Sequence, residues 1–401
     1  MKYNDKFYPT PLLKLLSIVL KQIKTDEVFG IRKELFFKPQ KKDLFQTEIF
    51  EQKLHAPLGV AAGPHTQLAQ NIIAAWLTGA RFIELKTVQT LDQIEVSKPC
   101  IDMQDEGYNC EWSQELKIKQ SFNEYLNAWI VIHILSHKFG FSETGTIFNM
   151  SIGYDYKGIM NENIQWFLSK MNNCKPELLQ KINEIKTLFP EINKINIPQQ
   201  ISNNVTLSTM HGCPPEEIES IGKYLISEKK LNTTIKLNPT LLGKKDLHQI
   251  LKKSGFKTQV PDIAFEHDLK FNQAIKIIQT LKKLAENNKQ SADSSQKSLS
   301  SNLKPVFFGI KTTNTLESIN NKEIFSADND MMYMSGRALH TISVNVARKL
   351  QNEFKGELNI SFSGGVDAFN IKNVMACGIM PVTVCSDLLK PGGYGRLSQY
   401  F

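Results

Sequence analysis

Eight short apolar runs are spaced along this chain, and almost every one is followed by a stretch with helical periodicity. That alternation limits the fold more than any other feature. The runs cover 58–63 (LGVAAG), 81–87 (RFIELKT), 146–152 (TIFNMSI), 204–209 (NVTLST), 233–238 (TTIKLN), 305–311 (PVFFGIK), 359–363 (NISFS) and 380–385 (MPVTVC). Helical patterns follow over 65–77, 113–137, 162–171, 245–253, 270–286, 336–354 and 368–376. A further helix opens at Pro214 and Pro215, with Glu216 and Glu217 complementing its dipole, and runs to about residue 227. Eight strands, almost every one followed by a helix, are the grammar of a closed parallel barrel rather than an open sheet, and 401 residues suit one such barrel with insertions. The predicted fold is α/β, a (β/α)8 TIM barrel over 46–401, preceded by a helical extension over 1–45.

The connecting segments carry their own expectations. Residues 11–24 read as an amphipathic helix that packs on the body of the protein, because its apolar run is too short and too interrupted to span a bilayer. The loop 88–112 is long and rich in aromatic and cysteine residues, which marks it as ordered and functional. Residues 172–200 read as an insertion of mixed helix and turn. The polar run NNKQSADSSQKSLSSN cannot bury a core and is expected to be a disordered surface loop over 287–303. After the eighth strand only 388–401 remain, so the N-terminal helix or a partner is expected to cover that flank.

Charge and cysteine usage narrow the function. The net +8 comes from 48 basic against 40 acidic side chains, and the lysines are scattered along helices and linkers. This is a solvated surface, not a nucleic-acid stripe. Six cysteines without CxxC spacing point to a reducing cytoplasm and away from a zinc or iron-sulfur site in this chain.

In this fold the active face is built at the C-terminal ends of the strands. There the chain places Ala61, Ala62 and Gly63, then Lys86 and Thr87, Lys236, Asn314 and Thr315, and finally Gly364, Gly365, Cys385 and Ser386. Two glycines between a strand and a helix let backbone amides approach an anion, so the turn at 364–365 suits a phosphate. Small residues at 61–63 permit close approach by a flat ligand. Two lysines at strand ends imply an anionic group between them, and a flavin with a phosphate tail fits. The structural alternative pairs each lysine with a carboxylate such as Glu84 or Glu111. Cys213 precedes a helix whose dipole would lower its thiol below the free value of about 8.5, which makes it a candidate proton donor and acceptor. His211 is an equal candidate for that work, since an unperturbed imidazole titrates near 6.5.

The motifs LGVAAGP, ELKTVQTLD, EVSKPCIDMQDEGYNCEWSQELK, TMHGCPP, IKLNPTLLG, YMSGRALH, SGGVDAFN and LLKPGGYGRL resemble the N-terminal part of the selenate reductase subunit family. That part is itself similar to the FMN barrels of dihydroorotate and dihydropyrimidine dehydrogenases. The resemblance runs from about Phe29 to the end of the chain. It implies that Ala61, Ala62 and Gly63 underlie the isoalloxazine of FMN, that Lys86 and Thr87 touch it, and that Lys236 lies near its N1. It further implies that Gly364, Gly365, Cys385 and Ser386 hold the phosphate, and that Asn109, Glu111, Asn314 and Thr315 contact substrate or flavin. Strand four departs from the dehydrogenase pattern Asn-Leu-Ser-Cys-Pro: this chain has Thr206, Leu207 and Ser208, then four residues before Cys213 and Pro214. The missing asparagine argues against a pyrimidine substrate. Members of the family continue into a pyridine-nucleotide and flavin module with iron-sulfur ligands, so the redox partner here is expected to be separate. Three readings follow: an FMN oxidoreductase acting on a small cyclic substrate, a flavin relay or assembly subunit, and a non-redox phosphate-binding barrel.

Overall fold

A computed structural model of the chain describes residues 6–96, 98–104, 106–110, 114–208, 212–296, 305–321, 324–325 and 329–401. The eight expected strands are present and close on one another. They are β1 (Leu58–Val60), β2 (Phe82–Glu84), β3 (Ile147–Ile152), β4 (Asn204–Leu207), β5 (Asn232–Leu237), β6 (Phe308–Thr312), β7 (Ile360–Phe362) and β8 (Val382–Val384). Each pairs in parallel with its sequence neighbours, and β8 returns to β1 through Val382 opposite Leu58. Strands buried on both faces explain why these runs are nearly continuous in apolar residues.

Helices wrap the barrel where their apolar stripes demand it. Helix Ala69–Leu77 buries Ile72, Ile73 and Trp76 and packs against Ile118–Lys138. Helix Pro215–Ser227 packs against Phe271–Gln296. This second helix corrects the expected disordered loop over 287–303: it continues through Gln296, and 297–303 lie outside the described residues. Its buried stripe of Ala274, Ile277, Ile278, Leu281 and Ala285 nucleates the helix. Extending a formed helix then costs little per residue, even in a polar sequence.

The N-terminal helix spans Leu12–Gln22, buries Leu12, Leu15, Leu16 and Val19, and packs on helix Lys175–Ile185 of the 172–200 insertion. It therefore does not cover the flank beyond β8. The 3-10 turns Ser386–Leu389 and Gly393–Tyr400 lie there instead, with the Phe401 ring tilted against Phe37 and Phe45 of the extension at 4.5 and 5.4 Å between ring centres. At the N-terminal end of the barrel the hairpin Thr47–Ile49 and Gln52–Leu54 acts as a plug, with Leu54 packed on Phe82 and Ile147, the first residues of β2 and β3. Among the described residues no helix is long and apolar enough to cross a membrane.

The opposite end carries a second, antiparallel sheet. Its strands are ordered Leu316–Ile319, Met331–Ser335, Gly107–Asn109 and Ile101–Asp102. The long loop 88–112 thus holds a hairpin that pairs with residues over two hundred positions away, Tyr333 lying opposite Asn109.

Candidate functional site

The C-terminal ends of the strands surround a cavity of about 200 Å³ that opens to solvent. Ala61, Ala62 and Gly63 line it after β1, Lys86 and Thr87 after β2, Lys236 from β5, and Asn314 and Thr315 after β6. Gly365, Cys385 and Ser386 line it after β7 and β8, and the second sheet contributes Asn109.

Three backbone turns meet at one corner. A side chain added at Gly365, whose φ is +66°, would sit 2.1 Å from the Gly336 carbonyl oxygen, and one added at Gly336 would lie 3.2 Å from Cβ of Ser386. The turns at 336 and 365 therefore meet backbone to backbone, a packing only glycine permits, and the Ser386 side chain packs against Gly336. Gly336 opens a 3-10 turn leading into helix His340–Glu353. The corner thus combines close-approaching amides with the positive end of a helix, the arrangement that suits an anion. Asp387 fixes the third turn by accepting two bonds from the Arg396 guanidinium, at 2.9 and 3.1 Å, and one from the Tyr400 hydroxyl at 2.8 Å. Gly364 lies behind this corner against Ser343 and is not part of the cavity wall.

The floor is small. A side chain added at Gly63 would come within 2.7 Å of the His65 ring and 3.1 Å of Cys385 Sγ. His65 is buried; its Nδ1 lies 3.6 Å from Cys385 Sγ, and its Nε2 has no hydrogen-bond partner. Burial, with Lys86 adding to it, pulls the imidazole down to about 4, so it is neutral. Burial pushes the Cys385 thiol up to about 11 against the pull of three lysines.

Two ammonium groups stand on the wall. Burial lowers Lys86 to about 8 and lowers Lys236 as well. Glu84, whose charge acts on Lys236, is bound by Lys311 of β6. Lys311 also donates to Thr383 Oγ1 at 2.8 Å. Across the cavity, Asn314 donates to Asn238 Oδ1 at 2.6 Å and accepts from Ser208 Oγ at 3.3 Å, while Thr87 shares a 2.7 Å hydrogen bond with Ser151.

The proton-handling residues fare differently. His211 and Glu111 lie outside the described residues. Cys213 is buried in the apolar core and is not among the residues lining the cavity. Its thiol is pushed up to about 12 by burial, with Glu217, Asp155 and Glu216 adding to the effect. This reverses the expected lowering, because desolvation and three carboxylates outweigh a helix terminus worth at most about 2 kcal/mol.

Sequence reasoning missed Ser208, Ser335, Gly336 and Arg337, all of which line the cavity. The Ser-Gly-Arg run immediately ahead of a helical pattern was the available signal, since it repeats the glycine-before-helix logic of 364–365.

Known proteins match the chain at two levels. A family model for the N-terminal TIM-barrel domain of the oxidoreductase YgfK matches residues 29–401. Two curated proteins named as the oxidoreductase YgfK, from Escherichia coli strain K12 and from Escherichia coli O157:H7, are each 42% identical over 418 aligned positions covering 98% of this chain. The chain spans 39% of the length of these relatives. Among solved structures, a ligand-free DHODH from Eimeria tenella superposes with a TM-score of 0.53 at 14% identity, covering 90% of this chain and 88% of that one. The DHODH of the same organism in complex with ferulenol gives 0.52 at 14% identity, covering 99% and 92%. These two likenesses are of fold.

Proposed function

This chain belongs to the YgfK N-terminal TIM-barrel family of oxidoreductases, and from that premise we propose that its cavity holds FMN and catalyses hydride transfer between the flavin and a small cyclic substrate. The observation that carries this reading is one juxtaposition: a corner where the turns at 336 and 365 meet backbone to backbone, beside a wall bearing two lysines, over a floor of small residues. An anionic tail, an electron-rich ring edge and a flat ring system are what these three surfaces fit.

Each residue then has a task. The amides at 336, 365 and 386 hold the phosphate, with Cys385 beside them. Ala61, Ala62 and Gly63 leave room for the ring system. Lys236 and Lys86 stabilise negative charge at the ring edge, and Thr87 adds a hydroxyl there. FMN, when bound, supplies hydride exchange at its N5. Asn109, Asn314 and Thr315 present amide and hydroxyl groups toward a polar substrate. The proton is assigned to the loop after β4, through Cys213 or His211. A thiol held at about 12 gives a proton at neutral pH and does not take one, so Cys213 suits the reducing direction.

Electrons reach or leave the flavin through a separate iron-sulfur and FAD or NAD(P) module or subunit, as in the selenate reductase system that the sequence resembles. The length of the YgfK relatives beyond the matched region leaves room for one. A second reading, a flavin relay without its own substrate, is favoured by the position of Cys213 away from the cavity wall.

Anaerobic reduction of the FMN-loaded protein by a panel of pyrimidines, purines and NAD(P)H separates the two. Bleaching of the flavin band near about 450 nm by a cyclic substrate, slowed in Cys213→Ala or a His211→Ala variant, is the expected result. No reduction by any panel member, with normal reduction by dithionite, would favour the relay.

A further inference from the structure

Behind the cavity wall, three strands distant in sequence send polar side chains to one point. Glu84 ends β2, Lys311 lies in β6 and Thr383 in β8. The Lys311 ammonium donates to the Glu84 carboxylate and to the Thr383 hydroxyl, and Thr383 Oγ1 also lies 3.4 Å from Glu84 Oε2. Lys311 and Glu84 are 1% and 3% exposed, and neither lines the cavity. Thr383 does, and Lys236 is the register partner of Lys311 on the adjoining strand. The bridge therefore lies beside Lys236, just behind the cavity wall.

A buried ion pair is a poor way to gain stability, since well-packed apolar residues of similar volume serve as well or better. Its position suggests another use. A lone carboxylate at this level would cancel the positive charge of Lys236, and a lone lysine would add a third cation to the two on the wall. Together they present no net charge beside Lys236.

We propose that the Glu84–Lys311–Thr383 bridge sets the charge behind the cavity wall and so fixes how strongly the site prefers the reduced, anionic cofactor over the oxidised one. These are positioning residues, and the inference rests on the FMN reading above. By linkage, the midpoint potential of the bound flavin relative to free FMN reports the ratio of the two affinities.

The test is stepwise reduction of the FMN-loaded protein with dithionite against a reference dye, for wild type, Lys311→Met, Glu84→Gln and the double variant. Lys311→Met leaves an unbalanced carboxylate and should lower the relative affinity for reduced FMN about tenfold, on the scale of one unit charge acting across a low-dielectric interior. Glu84→Gln leaves an unbalanced lysine and should raise it by a similar factor. The double variant should return close to wild type. Opposite signs are the signature; if Lys311→Met does not fold, Glu84→Gln and the double variant still decide the point. Shifts of the same sign, or an unmoved potential beside a lowered thermal midpoint, would reduce the bridge to a structural strut and overturn the inference. Failure of the wild-type protein to bind FMN is a separate outcome, which removes the cofactor reading and this inference with it.

Discussion

Both ends of the barrel bury positive charge, and they treat it in opposite ways. At the N-terminal end Arg81 is fully buried; its Nη1 donates to the Trp76 and Ala80 carbonyls at 2.6 and 3.0 Å, and its guanidinium lies 4.8 Å from the ring centres of Phe37 and Trp76. Two carbonyls and two ring faces take up part of that charge, while its buried Nε and Nη2 have no hydrogen-bond partner. At the C-terminal end Lys86 and Lys236 line open space beside a corner of glycine amides. A buried cation does not by itself mark a site. One that faces a cavity beside closely packed glycine turns is a better candidate.

The contrast predicts that changes at the two ends separate binding from stability. The largest effect belongs to Gly365→Val. Its side chain would collide with the Gly336 carbonyl and demand a left-handed backbone that β-branched residues resist, so FMN affinity should fall by at least about 100-fold in a fluorescence titration. Affinity within a few-fold of wild type would break the comparison at its functional end. Leu54→Ala, in the plug, should behave in reverse. Deleting a side chain 1% exposed against Phe82 and Ile147 should cost about 2–5 kcal/mol in urea unfolding while FMN affinity stays unchanged.

A smaller, pH-dependent effect sharpens the functional end. Lys86 sits at about 8 in the folded protein, below its ordinary 10.5. It therefore loses its positive charge as pH rises through about 8, and FMN affinity should weaken by up to about tenfold above that point. The sign for stability is the opposite. Between about 8 and 10.5 the unfolded chain binds the extra proton, so this group makes the cofactor-free protein more stable as pH rises across that window. A Lys86→Met variant should show neither slope. The smallest effect is expected for Cys213→Ala, which removes one buried sulfur outside the cavity wall. It should cost about 1 kcal/mol of stability and leave FMN affinity unmoved.

What could be read in the sequence follows from how local each signal is. The eight strands announce themselves as short apolar runs, because burial on both faces leaves little room for polar residues. The glycine turn at 365 and the lysines at 86 and 236 were legible because strand ends fix their place once the barrel is counted. The second sheet was not, since Tyr333 finds Asn109 across more than two hundred residues and nothing local links the two segments. The partner of Glu84 was hidden for the same reason: nothing local links position 84 to position 311. Cys213 misled because its helix terminus is visible in sequence, whereas the burial that dominates its thiol is a property of the assembled fold.

The central claim is that the corner of turns at 336, 365 and 386 grips a phosphate while two lysines flank the attached ring. Its most direct test compares FMN with riboflavin, which differ by that phosphate alone, in titrations of the cofactor-free protein. The account predicts saturable FMN binding at least about 100-fold tighter than riboflavin, the order expected for several charge-assisted hydrogen bonds. Equal affinity for the two, or no binding of either, would contradict it.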